Sequence, residues 1–305
     1  MTEMEQKQLA FIHQAVAKMN LSADEYVDAQ DGLIHCKNCR EPRLVLLTAM
    51  PGRPFALPRC QCSCQQKELE RELQEKERVQ KELRISHRRE LGLPSQSLQH
   101  YTFSQDNGRN PLMRKASAYV KHWEKAYQTH MGLLLFGNVG TGKSFFAGCI
   151  ANALLDKDIP VLMTNFPTLL NRLTGLSGEE RSALIAGLDD YALLILDDLG
   201  VERNTEFVLE QMFQIIDGRY RCCKPLIVTT NLRLEEIKHP VDLAHARIYG
   251  RILERCAPVL FDGRNQRDER TEQAKENARK IVSWTEESIE RNIYEQSHRE
   301  RFLPS

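Results

Sequence analysis

The chain has 305 residues, enough for one large or two smaller domains with a sizeable buried core, and its 42 Lys+Arg balance 42 Asp+Glu. A hydrophobic content of 41% fits a globular protein, and no apolar run approaches the ~18 residues of a membrane-spanning helix. Neutrality excludes a generic basic nucleic-acid coat but leaves room for local basic surfaces.

The first residues, Met1 to Gln8, are polar and acidic, unlike a secretory leader, so a reducing cytosol and no membrane are expected. Leu9, Ile12, Val16 and Met19 recur at helical spacing and predict one apolar stripe. Ser22-Ala-Asp-Glu25 has the form of a capping box and predicts a second short helix. Residues 31–64 carry 5 basic and 2 acidic side chains and hold five of the nine cysteines. Cys36-x-x-Cys39 followed by Cys60-x-Cys62-x-Cys64 resembles a zinc ribbon. A tetrahedral Zn²⁺ site takes four thiolates, so one of these five, or His35, is spare. Cys36 and Cys39 form the secure pair, and Cys62 and Cys64 are favoured over Cys60 without a decisive argument. The metal would be structural, because about 34 residues cannot build enough core without a clip. Lys37, Arg40, Arg43, Arg53 and Arg59 give the module a cationic excess that suits DNA or an acidic protein face. Cys149, Cys222, Cys223 and Cys256 stand in apolar or helical contexts and read as buried thiols.

Residues 65–90 are helical in propensity, lack Gly and Pro, and alternate charges of both signs. Leu69, Leu73, Val79 and Leu83 make only a thin seam, so a solvated helical linker is expected, with a coiled-coil contact as the alternative. Gly92-Leu-Pro94 closes that helix. Short apolar runs then follow at Leu133–Phe136, Val161–Met163, Leu193–Leu196, Leu226–Val228 and Val259–Phe261, with helical stretches such as Phe145–Leu155, Glu206–Tyr220 and Leu243–Cys256 between them. The alternation predicts buried parallel strands with crossover helices, an α/β architecture. Beyond it, Ile281, Trp284, Ile289 and Ile293 predict one further helix in a tail, 266–305.

Gly137-Asn138-Val139-Gly140-Thr141-Gly142-Lys143-Ser144 matches G-x-x-x-x-G-K-[ST] between a strand and a helix, the context that confirms a phosphate loop. Glycines let backbone N–H groups converge on phosphate oxygens, and the helix dipole favours the anion. Lys143 would contact the β- and γ-phosphates of ATP, and Ser144 would ligate Mg²⁺. Leu193-Leu-Ile-Leu-Asp197-Asp198 is an apolar strand ending in two carboxylates. Asp197 would hold Mg²⁺, and Asp198 would polarise an attacking water. Leu226-Ile-Val-Thr-Thr-Asn231 ends in an amide able to hold that water, though Asn is also a common turn residue. Arg247, Arg251 and Arg255, spaced by four, share one helix face. Such an arginine, supplied to a neighbouring subunit, would stabilise charge developing at the γ-phosphate. A salt-bridged face is the bland alternative.

In this order, the motifs resemble AAA+ ATPases. Met131–Ala147, Ile195–Gly200, Pro225–Leu232 and Arg247–Glu254 resemble the DnaC/IstB-type proteins, particularly bacterial and phage replicative helicase loaders. The resemblance implies an AAA+ P-loop NTPase with a parallel sheet flanked by helices over 91–265. A small zinc-ribbon-like domain (1–64) and the helical linker (65–90) would precede it. It further implies an ATPase that loads a hexameric DnaB-type helicase onto single-stranded DNA and self-associates through AAA+ interfaces. A transposition helper of IstB type, selecting target DNA, is the alternative. Asp197 and Asp198 would be Walker B and Asn231 sensor 1. Arg247 or Arg251 would be the trans-acting arginine, Arg251 favoured, and Arg264 or Arg267 would serve as sensor 2. The resemblance makes Phe166, Arg172 and Arg181 the sparse candidates for a DNA-facing surface, while the residues by themselves read better as an ordinary amphipathic helix.

Overall fold

The computed structural model describes residues 3–50, 53–201, 205–263, 265, 272 and 274–282. They divide into two compact units, Met1–Leu83 and Arg84–Ser305.

In the first unit, α1 (Glu3–Val16) turns Ile12 and Val16 onto Ile34, Leu44 and Leu57. Strands β1 (Glu25–Val27) and β2 (Ile34–Cys36) pair antiparallel, as do β3 (Leu47–Met50) and β4 (Arg53–Ala56). The helix expected at Ser22–Glu25 does not form. Half of a capping box is present, since the Ser22 N–H donates to Glu25 Oε2 at 3.0 Å. Yet Glu25 opens β1 instead, because Oε1 of the same carboxylate receives Arg43 Nη1 at 3.2 Å and Arg59 Nη1 at 2.5 Å. Burial works to raise the Glu25 pKa, but the Ser22 amide and the two guanidinium groups outweigh it and hold the carboxyl down to about 2. Arg43 is itself buried and also donates to Asp24 Oδ2. The cationic excess read from residues 31–64 is therefore partly neutralised inside the unit by acids that precede it in sequence.

A long helix, α2 (Ser63–Gly92), leaves Leu69, Leu73, Val79 and Leu83 exposed, as a solvated helix should. Within the second unit, its Arg84 and Arg88 pair with Asp158 and its Arg89 with Asp156.

The second unit continues through α3 (Gln96–Gln99), α4 (Met113–Lys121), α5 (Trp123–Gln128), β5 (Gly132–Gly137), α6 (Lys143–Leu155), β6 (Val161–Asn165), α7 (Phe166–Thr174) and α8 (Gly178–Gly187). Then come β7 (Leu193–Leu199), α9 (Glu206–Arg221), β8 (Leu226–Thr230), α10 (Leu234–Lys238), α11 (Leu243–Arg255) and β9 (Cys256–Phe261). Five strands form one parallel sheet in the order β6-β7-β8-β5-β9 with helices on both faces, the α/β architecture the sequence predicts. Alternation along each strand feeds two cores. Leu135, Leu193 and Ile195 pack with α6 on one face, while Leu134, Leu194 and Leu196 pack with α7, α9 and α11 on the other. Strands covered on both faces are apolar along most of their length, which is why they read as continuous runs. Gly137 ends β5 at φ 128°, where a Cβ would stand 2.2 Å from the Phe261 carbonyl oxygen, so only glycine lets the chain turn there.

Residues 274–282 are helical with Ile281 exposed, whereas Trp284, Ile289, Ile293, Arg264 and Arg267 lie outside the described residues. Among the described residues, no helix is long and apolar enough to cross a membrane.

Candidate nucleotide site and cysteine cluster

Strand β5 delivers the loop 137–144 to the N-terminus of α6, where Gly142 occupies the cap at φ 95°. Helix α6 is buried on nearly every side, so its dipole and the orphan N–H groups of its first turn are directed from a fixed position. Thr141 Oγ1 donates to the Asn138 carbonyl at 2.8 Å and ties the loop into a ring. Lys143 is 6% exposed, with Nζ donating to the Gly137 and Asn138 carbonyls at 2.9 and 2.7 Å. The ammonium is thus stored against loop carbonyls, over the place where phosphate oxygens would replace them.

Asp197 and Asp198 close β7 beside this loop. Ser144 Oγ donates to Asp197 Oδ1 at 2.9 Å, and Thr229 Oγ1 donates to the same oxygen. Burial drives the Asp197 pKa upward, aided by the nearby Asp198, while the Thr229 and Ser144 hydroxyls and Lys143 pull it back. The net shift is upward. A buried carboxylate carrying this penalty is well suited to a cation. Asp198 sits at φ 60°, a left-handed conformation that costs a non-glycine residue about 1–3 kcal/mol, and it lines the same cleft as Val139–Phe145 and the exposed Asn231. The phosphate loop, Asp198 and the amide therefore converge on one cleft, and Asp197 is joined to it through Ser144.

Tyr101, which the sequence did not single out, also lines this cleft. Its ring meets Phe145 edge-on at 5.4 Å, and Asn152 Nδ2 fixes its loop by donating to the Leu98 and Tyr101 carbonyls at 2.9 and 3.0 Å. The signal was a buried polar residue, Asn152, one helical turn after Gly148, whose missing side chain makes room for Tyr101.

The arginines of α11 do not share one environment. Arg251 Nε donates to Asp217 at 2.6 Å, and its guanidinium lies 4.6 Å over Phe213. Arg255 stacks on Tyr220 at 4.6 Å. Arg247 is exposed. The favoured arginine is therefore engaged within its own chain, on the sequence-distant helix α9. Phe166 is fully buried in the core and offers no base-stacking surface, contrary to its reading as a platform. Arg181 lies 4.8 Å over Phe207 and donates to the Leu173 and Leu176 carbonyls, while Arg172 is exposed.

In the first unit, the sulfurs of Cys36, Cys39, Cys62 and Cys64 lie within 4.8 Å of one another. Tetrahedral zinc with ~2.3 Å bonds needs sulfurs ~3.8 Å apart, so the set fits with little adjustment. Cys60 stands outside, donating to the Pro42 carbonyl at 3.4 Å. Both ring nitrogens of His35 are engaged, Nδ1 at 2.8 Å from the Arg40 carbonyl and Nε2 at 2.9 Å from Asp31, which removes it from the ligand set. Backbone N–H groups of Cys39 and Asn38 draw the Cys36 pKa down against the opposing effect of burial, whereas Cys64 is pushed up by its hydrogen bond with Cys39 and then by burial. A dication would convert this unequal set into four thiolates.

A family model described as "IstB-like ATP binding protein" matches residues 63–274. The replicative helicase loader DnaI of Bacillus subtilis is 27% identical over 186 residues, which cover 56% of this chain and 60% of that protein. The replicative helicase loader DnaC of Escherichia coli K12 is 26% identical over 133 residues, 43% of this chain and 53% of that one. A putative insertion sequence ATP-binding protein of Sinorhizobium fredii is 35% identical over 100 residues, 32% of this chain and 33% of its own. The chain spans little more than half the length of the two loaders it matches.

Proposed function

The chain belongs to the IstB-like ATP-binding protein family, and from that premise we propose that it is an ATPase that loads a hexameric replicative helicase onto single-stranded DNA. The observation that carries the ATPase part is the convergence in one cleft of the stored Lys143, Asp198 and Asn231, with Asp197 tethered to the lining residue Ser144. On nucleotide binding, Lys143 would exchange the Gly137 and Asn138 carbonyls for phosphate oxygens. Magnesium, held by Ser144 and Asp197, would neutralise charge on the β- and γ-phosphates. Asp198 and Asn231 would orient the attacking water, since such catalysis is mainly positioning.

Among the described residues, no arginine lines the cleft, and a second copy would complete it. Arg247, exposed on α11, is the residue best placed to reach a neighbour, and Arg251 could do so only by leaving Asp217. Single-stranded DNA would be met by a few cations such as Arg172, giving modest, sequence-independent contacts that depend on assembly. The four cysteines would hold Zn²⁺ as a fold-forming clip, leaving the first unit to engage the helicase.

The two loaders match longer stretches of this chain than the insertion-sequence protein does, and residues 1–62, ahead of the family match, carry their own folded module. Both features favour the loader over a transposition helper. Mixing the protein with the replicative helicase of its own host, with ATP, should give a joint complex on size-exclusion chromatography. Absence of that complex, together with capture by a transposase, would reverse the assignment.

A further inference from the structure

Strands β7 and β8 fall out of register at the end nearest the phosphate loop. Leu196 pairs with Val228 and Leu199 with Thr230, so Asp197 and Asp198 together stand opposite Thr229 alone. An unbroken strand would turn two neighbours to opposite faces of the sheet. One extra residue breaks that alternation and re-aims a side chain. The Thr229 hydroxyl uses both of its capacities at this bulge: it donates to Asp197 Oδ1 at 2.5 Å and accepts the Asp198 N–H at 3.0 Å. The second bond holds Asp198 at φ 60°. Thr230 secures the far side, donating to the Leu199 carbonyl at 2.6 Å and accepting the Leu232 N–H at 3.1 Å.

Asp197 Oδ1 has one other hydroxyl donor, Ser144, and the two donors are placed differently. Ser144 lines the cleft, whereas Thr229 is 0% exposed and lies behind it. Metal ligation would recruit the Ser144 oxygen and leave the Thr229 bond undisturbed. One tether is exchangeable and the other permanent.

From this arrangement we propose that Thr229 is a positioning residue of the nucleotide site, its one hydroxyl setting both the Asp197 carboxylate and the left-handed Asp198 backbone. The inference rests on the ATP-binding reading above and adds to it a residue that never touches nucleotide. It ties the carboxylate that would serve the cation to the one that would orient water.

Thr229→Val keeps the shape and removes the hydroxyl, while Thr229→Ser keeps the hydroxyl and removes a methyl group. Equilibrium binding of a fluorescent ATP analogue in EDTA and in Mg²⁺, with steady-state hydrolysis alongside, reads the two apart. In EDTA both variants should match the wild type. In Mg²⁺, Thr229→Val should lose about tenfold or more of the metal-dependent gain in affinity, with KM raised in step and kcat lowered, as loss of a ligand-orienting partner does. Thr229→Ser should stay within about threefold of wild type in both assays. A wild-type response to Mg²⁺ in Thr229→Val overturns the proposal. So does a Thr229→Ser as impaired as Thr229→Val, which would make packing the cause. Should Thr229→Val fail to fold, Thr229→Ala takes its place against Thr229→Ser, and the same two results overturn the proposal. A wild-type protein that binds no nucleotide in either buffer refutes the ATP reading itself, and the proposal with it, before any variant is compared.

Discussion

Among its described residues, the first unit buries five apolar side chains, Ile12, Val16, Ile34, Leu44 and Leu57, and beside them a carboxylate, a guanidinium, an imidazole and two thiols. The second fills both faces of its sheet with Leu, Ile, Val and Phe, and its buried cations, Lys143 and Arg219, stand in the end turns of helices where backbone carbonyls receive them. A small unit has too much surface for its volume to be stabilised by apolar burial alone, so long-range polar bonds, and the zinc proposed for the four cysteines, would take that part. The larger unit can rely on burial, and it holds one non-glycine residue of the site, Asp198, in a left-handed conformation, as the first unit does Arg40. The contrast places the two kinds of stabilisation in separate parts of one chain.

Removing the clip should give the largest effect. Structural zinc contributes on the order of 10 kcal/mol to small four-cysteine modules, so chelation or Cys36→Ser should unfold the first unit. Residues 25–62 should lose protection in hydrogen exchange, about one equivalent of zinc should leave the protein, and ATP binding should stay near wild type. Loss of ATP binding in step with zinc would show that the two units are not stabilised separately. Phe146→Ala should do the reverse: its ring is fully buried, edge-on to Phe261 at 5.4 Å. The substitution should cost the second unit about 3–5 kcal/mol, seen as a lowered thermal midpoint with zinc content unchanged. Arg43→Met should come last. It leaves the buried Glu25 with Arg59 as its remaining cation, at about 2–3 kcal/mol, and adding Glu25→Gln should recover part of that loss. A double variant no better than the single one would mean that the pair contributes through packing and not through charge.

Much of this was legible in the residues. All five strands of the parallel sheet coincide with apolar runs, and the phosphate loop, Asp197, Asp198 and Asn231 occupy the strand ends predicted for them. Cys36 and Cys39, the secure pair of the sequence, are joined in the cluster by Cys62 and Cys64, the two favoured without a decisive argument. The readings that failed were those in which a local pattern had a distant competitor. Ser22–Glu25 has a helix-capping pattern, but Arg43 and Arg59 take the carboxylate into a strand. Phe166 follows a strand as an exposed platform would, yet the space beneath α7 buries it. Apart from these, tertiary contacts distinguish Arg251 from Arg247 where spacing does not, since only Arg251 meets Asp217 across the α9–α11 contact.

Periodicity and motif spacing concern residues a few positions apart, where backbone geometry alone decides which side chains meet. The sequence by itself could therefore determine the α/β alternation, the phosphate loop and the Cys36–Cys39 knuckle. The tertiary structure alone decided that Thr229 faces two aspartates, that Cys60 is the spare thiol and that Glu25 holds two arginines. Each of those contacts closes a loop of some 15 to 35 residues, and it survives only because packing elsewhere has already met the entropic cost of bringing the partners together.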